Sequence, residues 1–171
     1  MRIALIAKPG HADSGVGRYT RELASALTKL GHEVIIVYPM CPFPEWLVRG
    51  VRRLAGRDLR AFFENYPVWA RYPEADIYHI TSQNLATLML FRRPPGKTVI
   101  TVHDIIPFMT RRMIEISPYR HVFDALLDRI AIRGLRRAST RIAVSEYTRQ
   151  TLVCELDYGA ESIVVVHEAV G

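Results

Sequence analysis

Cysteine is scarce: Cys41 and Cys154 are the only two in 171 residues, and they stand far apart with no CxxC spacing. That excludes a disulfide scaffold and a cysteine-type zinc site, and it points to a reducing compartment. Long apolar runs are missing, so no stretch approaches a membrane span. The N-terminal run is basic and then apolar but stops at Lys8 with no small-residue cleavage site behind it, which argues against a signal peptide. Lysine is rare as well, with Lys8, Lys29 and Lys97 the only ones among 23 basic residues. Such an arginine bias suits phosphate recognition, because the guanidinium fork matches phosphate geometry, or it reflects coding bias in the source genome. There is no internal repeat and no low-complexity tract. With 49% hydrophobic and 23% charged residues, the composition excludes collagen-like, disordered and coiled-coil classes. The length suits one domain, and the formal net charge is +6.

Six apolar or β-branched runs recur, over residues 3–7, 34–38, 77–80, 98–102, 141–144 and 163–166. Most lack polar alternation, as expected of strands covered on both faces. Helical patterns lie between them. Asp13 or Ser14 can cap a first helix with Tyr19, Leu23, Leu27 and Leu30 on one face and Gly31 at its end. Ser82 can open a second that runs to Phe91. Ser117 and Pro118 look like the cap and first position of a third, carrying Phe123, Leu126, Leu127, Ile130 and Leu135. Ser145 caps a fourth, with Tyr147, Leu152 and Leu156 before Gly159. Alternating strands and helices predict an α/β fold with a Rossmann-like, doubly wound parallel sheet.

Residues 46–63 break that rhythm. Trp46, Leu47, Val51, Leu54, Leu59, Phe62 and Phe63 alternate with Arg49, Arg52, Arg53, Arg57 and Arg60 at roughly helical spacing, although Gly50 and Gly56 weaken a helix there. The expectation is an ordinary surface helix with its apolar stripe on the core and its arginines solvated. The competing reading is a basic amphipathic helix lying on anionic membrane.

In an open parallel sheet, ligands bind at the carboxyl ends of the strands, where loops diverge and helix N-termini present N–H groups. The polar residues gather at those ends. Gly15, Val16 and Gly17 follow the first strand at a helix start, where missing side chains let a phosphate or sugar approach the backbone; alternatively they serve only turn geometry. Thr20 stands where a dinucleotide fingerprint wants a third Gly or Ala, and the lysine and hydroxyl residue of a P-loop are missing. His103 and Asp104 end the fourth strand. A histidine there can donate to a substrate hydroxyl with the carboxylate orienting it, or it can simply bond loop backbone. Ser145 and Glu146 follow the fifth strand, and His167 and Glu168 the sixth. The six histidines show no metal-ligand spacing. His79, alternating with Ile77, reads as a core histidine, and Cys154 as core too.

The ordered set Ser14-Gly15-Val16-Gly17-Arg18-Tyr19, Leu30-Gly31-His32-Glu33-Val34, Val102-His103-Asp104-Ile105-Ile106-Pro107, Val144-Ser145-Glu146-Tyr147-Thr148 and Ile163-Val164-Val165-Val166 resembles the N-terminal domain of family 4 retaining glycosyltransferases of GT-B fold, over the whole chain. The resemblance implies transfer of a mannose- or glucose-like sugar from a nucleotide-sugar donor to a hydroxyl on a sugar, lipid or other acceptor, with configuration retained and no metal or further cofactor. It implies catalytic roles for His103 and Asp104, His103 touching the donor sugar near the reacting carbon. Donor and acceptor contacts fall to Gly15, Val16, Gly17, Arg18, Ser145 and Glu146. Family members continue into a second Rossmann-like domain that holds the nucleotide diphosphate. This chain ends about where the hinge would begin, so residues 1–171 are expected to be the acceptor-side domain, weakly active or inactive without that partner. The cytoplasm is the expected location, with peripheral contact at the inner face of the cell membrane through residues 46–63, and no nucleic-acid partner is expected. A nicotinamide-dependent oxidoreductase domain and a non-catalytic basic module for anionic lipid or nucleic acid are the alternatives.

Overall fold

The computed structural model describes residues 1–9, 14–56, 58–105 and 122–167. Six strands, β1 (Arg2–Ile6), β2 (Glu33–Val37), β3 (Ile77–Ile80), β4 (Lys97–Val102), β5 (Thr140–Ala143) and β6 (Ile163–Val165), form one sheet in the order β2-β1-β3-β4-β5-β6. Every pairing is parallel. The expected runs are therefore strands, shifted by at most a residue at their ends.

The order reverses between β1 and β3: from β1 the chain goes outward to β2, then returns to the other side. A crevice forms at the carboxyl end of such a switch point. The order also differs from the 3-2-1-4-5-6 arrangement of nicotinamide-binding domains.

The two sheet faces carry different chemistry. Ile6, Ile80 and Ile100 are paired across β1, β3 and β4, so they share one face, with Ala4, Tyr78 and Val102 beside them in a continuous buried core. That core is completed by a 3-10 turn (Gln83–Thr87), α4 (Leu88–Phe91) and Leu135 at the end of α5 (Val122–Leu135). The opposite face bears His79, Thr81 and Thr101, all buried and all polar, and it meets α1 (Gly15–Lys29).

Two of the expected helix starts carry their serine caps. Ser14 caps α1, its Oγ accepting from Gly17 N at 3.1 Å, and Ser145 caps α6 (Glu146–Leu156), accepting from Thr148 N at 3.1 Å. Elsewhere the structure corrects the expectation. Leu30 is exposed because it is the C-cap of α1 rather than part of its face. The segment from Ser82 is a 3-10 turn running into a single α-helical turn. The proposed start at Ser117 and Pro118, and the side chain of Phe123, lie outside the described residues, and Leu126 is exposed. In α6 the buried stripe is Thr148, Thr151, Leu152 and Leu156. Tyr147 and Cys154 lie off that stripe and are exposed, so Cys154 is not a core residue.

The 46–63 helix is two helices, α2 (Glu45–Ala55) and α3 (Leu59–Asn65), because Gly56 adopts φ 63° and ends α2 with a left-handed cap. Val48 is buried, with Leu47 and Val51 partly so. Trp46 is 70% exposed beside Arg49, Arg52 and Arg53, and Leu54 is 90% exposed at the far end of the same helix. The apolar residues do not form one stripe on the core, and the ordinary-helix expectation fails at these two positions. Among the described residues no helix is long and apolar enough to cross a membrane.

Candidate functional site

The sheet's carboxyl edge brings most of the singled-out residues together. Gly15, Val16, Gly17 and Arg18 form the first turn of α1, directly after the β1 loop. Gly15 does not have a positive φ, and a β-carbon there would meet no described atom within 4 Å. Nothing in the described fold therefore requires a glycine at position 15. Arg18 turns away along its own helix to pair with Glu22 at 2.7 Å, on the surface. Ser145 and Glu146 open α6. Ser145 is committed to capping, and Glu146 is ion-paired with Arg149 at 2.7 Å.

His103 sits between these two helix starts. Its Nε2 lies 2.9 Å from the carbonyl oxygen of Thr81. A carbonyl only accepts, so Nε2 carries the proton and donates, which fixes the tautomer of the neutral ring. Bonding to loop backbone, the simpler of the two sequence readings, is thus present for this nitrogen. Its backbone N–H donates to Gln83 Oε1 at 3.2 Å, and its carbonyl accepts from Thr148 Oγ1 at 3.3 Å. Tyr19, one turn into α1, stands edge-on to the imidazole, with ring centroids 4.9 Å apart and an interplanar angle of 89°. The histidine is thereby tied to α1, to the loop after β3 and to α6.

Asp104 is half-buried and lines a small depression with Gln83, Asn84, Ile105, Asp128 and Ala131. Asp128 accepts from Tyr66 Oη at 2.9 Å, which links the α3 end to α5. His167 is exposed, while His11, His121 and Glu168 lie outside the described residues. Among the described residues no three His, Cys, Asp or Glu side chains are grouped to hold a metal ion.

Sequence reasoning missed the polar layer beneath this edge. His79, buried as expected, places Nε2 2.8 Å from Thr101 Oγ1, and Thr101 Oγ1 lies 2.9 Å from Tyr19 Oη. Thr20 Oγ1 donates to Val16 O at 2.8 Å and approaches Thr81 Oγ1 at 3.3 Å, while Thr81 Oγ1 lies 3.2 Å from Ile6 O. Burial pushes the His79 pKa down to about 4, with the neighbouring His103 a smaller cause in the same direction. The signal was present as a period of two: His79 and Thr81 in β3 and its extension, Thr101 and His103 in β4 and its extension. Thr20 is buried where a dinucleotide fingerprint needs a small residue for close helix–strand packing, which counts against nicotinamide binding.

No curated protein sequence matches the chain. Among solved structures, an alpha-glucosyltransferase in complex with UDP and a 13-mer DNA containing a central A:G mismatch is similar at 17% identity with a TM-score of 0.46. That match covers 96% of this chain and 40% of the other, so the chain spans well under half of that protein's length. A family model described as Glycosyltransferase Family 4 matches residues 14–170. With nearly its whole length matched, the chain belongs to glycosyltransferase family 4.

Proposed function

We propose that the chain is the acceptor-side domain of a retaining glycosyltransferase, one half of a GT-B architecture, moving a mannose- or glucose-like sugar from a nucleotide-sugar donor to an acceptor hydroxyl. The observation that supports it best is the arrangement at the switch point. The start of α1, with a glycine the described fold does not require, is joined to His103 through Tyr19. Family membership supplies the reaction class.

In this reading the bond from the anomeric carbon to the diphosphate breaks as the acceptor oxygen bonds the same carbon on the same face, and the acceptor hydroxyl's proton passes to the departing diphosphate. The start of α1 at Gly15 and Val16 faces the departing diphosphate, where the helix dipole favours negative charge, while the Gly17 N–H is taken by the Ser14 cap. Arg18 and the start of α6 at Ser145 and Glu146 border the same edge. In this reading His103, oriented by the bond from its Nε2 to Thr81 O, contacts the sugar, and Asp104 follows it at the same strand end. A second α/β domain would close over the donor and exclude water. No metal or further cofactor enters. The acceptor is a sugar, a lipid or another hydroxyl compound, and the exposed Trp46 and Leu54 beside three arginines favour work at an anionic membrane surface, from the cytoplasmic side.

Two measurements test the reading. In the two-domain enzyme, His103→Ala lowers transfer on the order of a hundredfold while the fold persists. Calorimetry on this chain alone gives sugar-nucleotide binding no tighter than about millimolar, since a helix N-terminus contributes only about 1 kcal/mol beyond a few hydrogen bonds. Micromolar binding of NAD to the chain, or full transfer by the His103 variant, overturns it.

A further inference from the structure

The polar layer under the glycine turn is a continuous hydrogen-bonded chain. Thr101 is fully buried in β4, and its single hydroxyl lies between His79 Nε2 at 2.8 Å and Tyr19 Oη at 2.9 Å. A hydroxyl has one proton and two lone pairs, so Thr101 accepts from at least one of its two neighbours, and every such arrangement leaves the three groups hydrogen-bonded in series. A β-branched side chain on a buried strand is stiff about χ1. The imidazole of His79 is anchored inside the sheet face, and Thr101 passes that anchor to the phenol of Tyr19. Tyr19 in turn presents its ring at 89° to His103. The second tether, from His103 Nε2 to the backbone oxygen of Thr81, comes from just past the end of β3, two residues after His79.

We propose that His79, Thr101 and Tyr19 form a positioning relay for His103. The relay fixes the plane of the imidazole relative to the first turn of α1, so that the glycine turn and the histidine keep one spacing while donor and acceptor come and go. His79 touches no substrate; it acts through Thr101 and Tyr19. The proposal rests on the reading that His103 contacts the sugar, but the geometry it concerns exists in this chain whether or not that reading holds.

The test separates the two. In this chain, labelled for NMR on histidine and tyrosine, Thr101→Val removes the relay hydroxyl at nearly constant volume, Tyr19→Phe removes only the phenol oxygen, and His79→Leu removes the anchor. Each is expected to shift and broaden the His103 ring resonances, because the edge-on ring moves. Thr101→Ser and His79→Gln, which restore a hydroxyl and a nitrogen or oxygen near Nε2, bring them back. In the two-domain enzyme the breaking variants lower kcat about tenfold or more with KM little changed, as expected when a group is misplaced by a fraction of an ångström. Unchanged His103 resonances in Tyr19→Phe, the variant least able to disturb folding, overturn the relay, as does a response that the serine and glutamine variants fail to restore. Retained transfer in His103→Ala overturns the functional reading alone, since the resonances report on geometry and not on turnover.

Discussion

Gly134 in α5 crosses Ala86 so closely that a β-carbon at position 134 would stand 1.9 Å from the Ala86 carbonyl oxygen. The 3-10 turn carrying Ala86 begins at Gln83, whose side chain accepts from the backbone of His103, so α5 packs against the turn that supports the site.

An interior helical glycine replaced by alanine normally gains about 1 kcal/mol of helix propensity. Here the sign reverses, because backbone must give way. Gly134→Ala is expected to cost roughly 1–3 kcal/mol, the range for forced overpacking. Urea unfolding of the chain measures it, and an unchanged or raised midpoint would show that α5 slides away at little expense.

Arg141 supplies a second case of helix-end chemistry. From β5 its guanidinium donates to the carbonyls of Leu135 and Arg136 at 2.9 Å and of Ala138 at 3.4 Å, and it lies 4.9 Å from the Tyr158 ring centroid. It thus serves the last carbonyl of α5 and two carbonyls of the turn that follows it. Arg141→Met is expected to destabilise by about 2–4 kcal/mol, since three carbonyls lose a charged donor. Arg141→Lys should fall between, because a point charge on a flexible stem cannot serve a fork of carbonyls. Equal midpoints for methionine and lysine variants would refute the capping role.

Much of the fold was legible because buried parallel strands read as apolar runs and serine caps mark helix starts, as at Ser14 and Ser145. Less was legible where a side chain's partner lies far along the chain. Arg141 looked like the polar first residue of a strand, and nothing local marked it as a cap for a helix ending six residues earlier. Tyr19 was rightly placed among the apolar residues of α1, but its hydroxyl partner is 82 residues away. Trp46 and Leu54 depart from the expected core stripe for a different reason. Helical spacing says that residues share a face but not which face meets the core, and the break at Gly56 decouples α2 from α3. Cys154 was misread because the buried stripe of α6 includes threonines, which hydropathy does not score as core.

Stability should depend on pH through His79. Its folded pKa of about 4 lies below the ordinary 6.5, so between those values the unfolded chain binds more protons than the folded one. The contribution is fully present above about pH 6.5 and is lost as pH falls toward 4. Between pH 7 and pH 5 the loss is about 2 kcal/mol. His79→Gln removes this dependence, and denaturation curves at the two pH values compare the slopes. A wild-type slope that survives the substitution would place the titrating group elsewhere.

The surface of α2 yields the last prediction. Trp46 and Leu54 are exposed at opposite ends of the helix, with Arg49, Arg52 and Arg53 between them, while Glu45 is already paired with Arg60. A helix that presents an indole, a leucine and three guanidinium groups to solvent has both components of interfacial binding: apolar area for the acyl boundary and positive charge for anionic headgroups. Each arginine near the surface is worth about 1 kcal/mol, so binding to acidic vesicles should fall as salt rises. Trp46→Ala should weaken binding without altering its salt slope, whereas Arg49→Gln with Arg53→Gln should flatten the slope. Co-sedimentation with phosphatidylglycerol vesicles against pure phosphatidylcholine decides it. Equal binding to both, or none to the acidic ones, would leave Trp46 and Leu54 as surface residues with no membrane role.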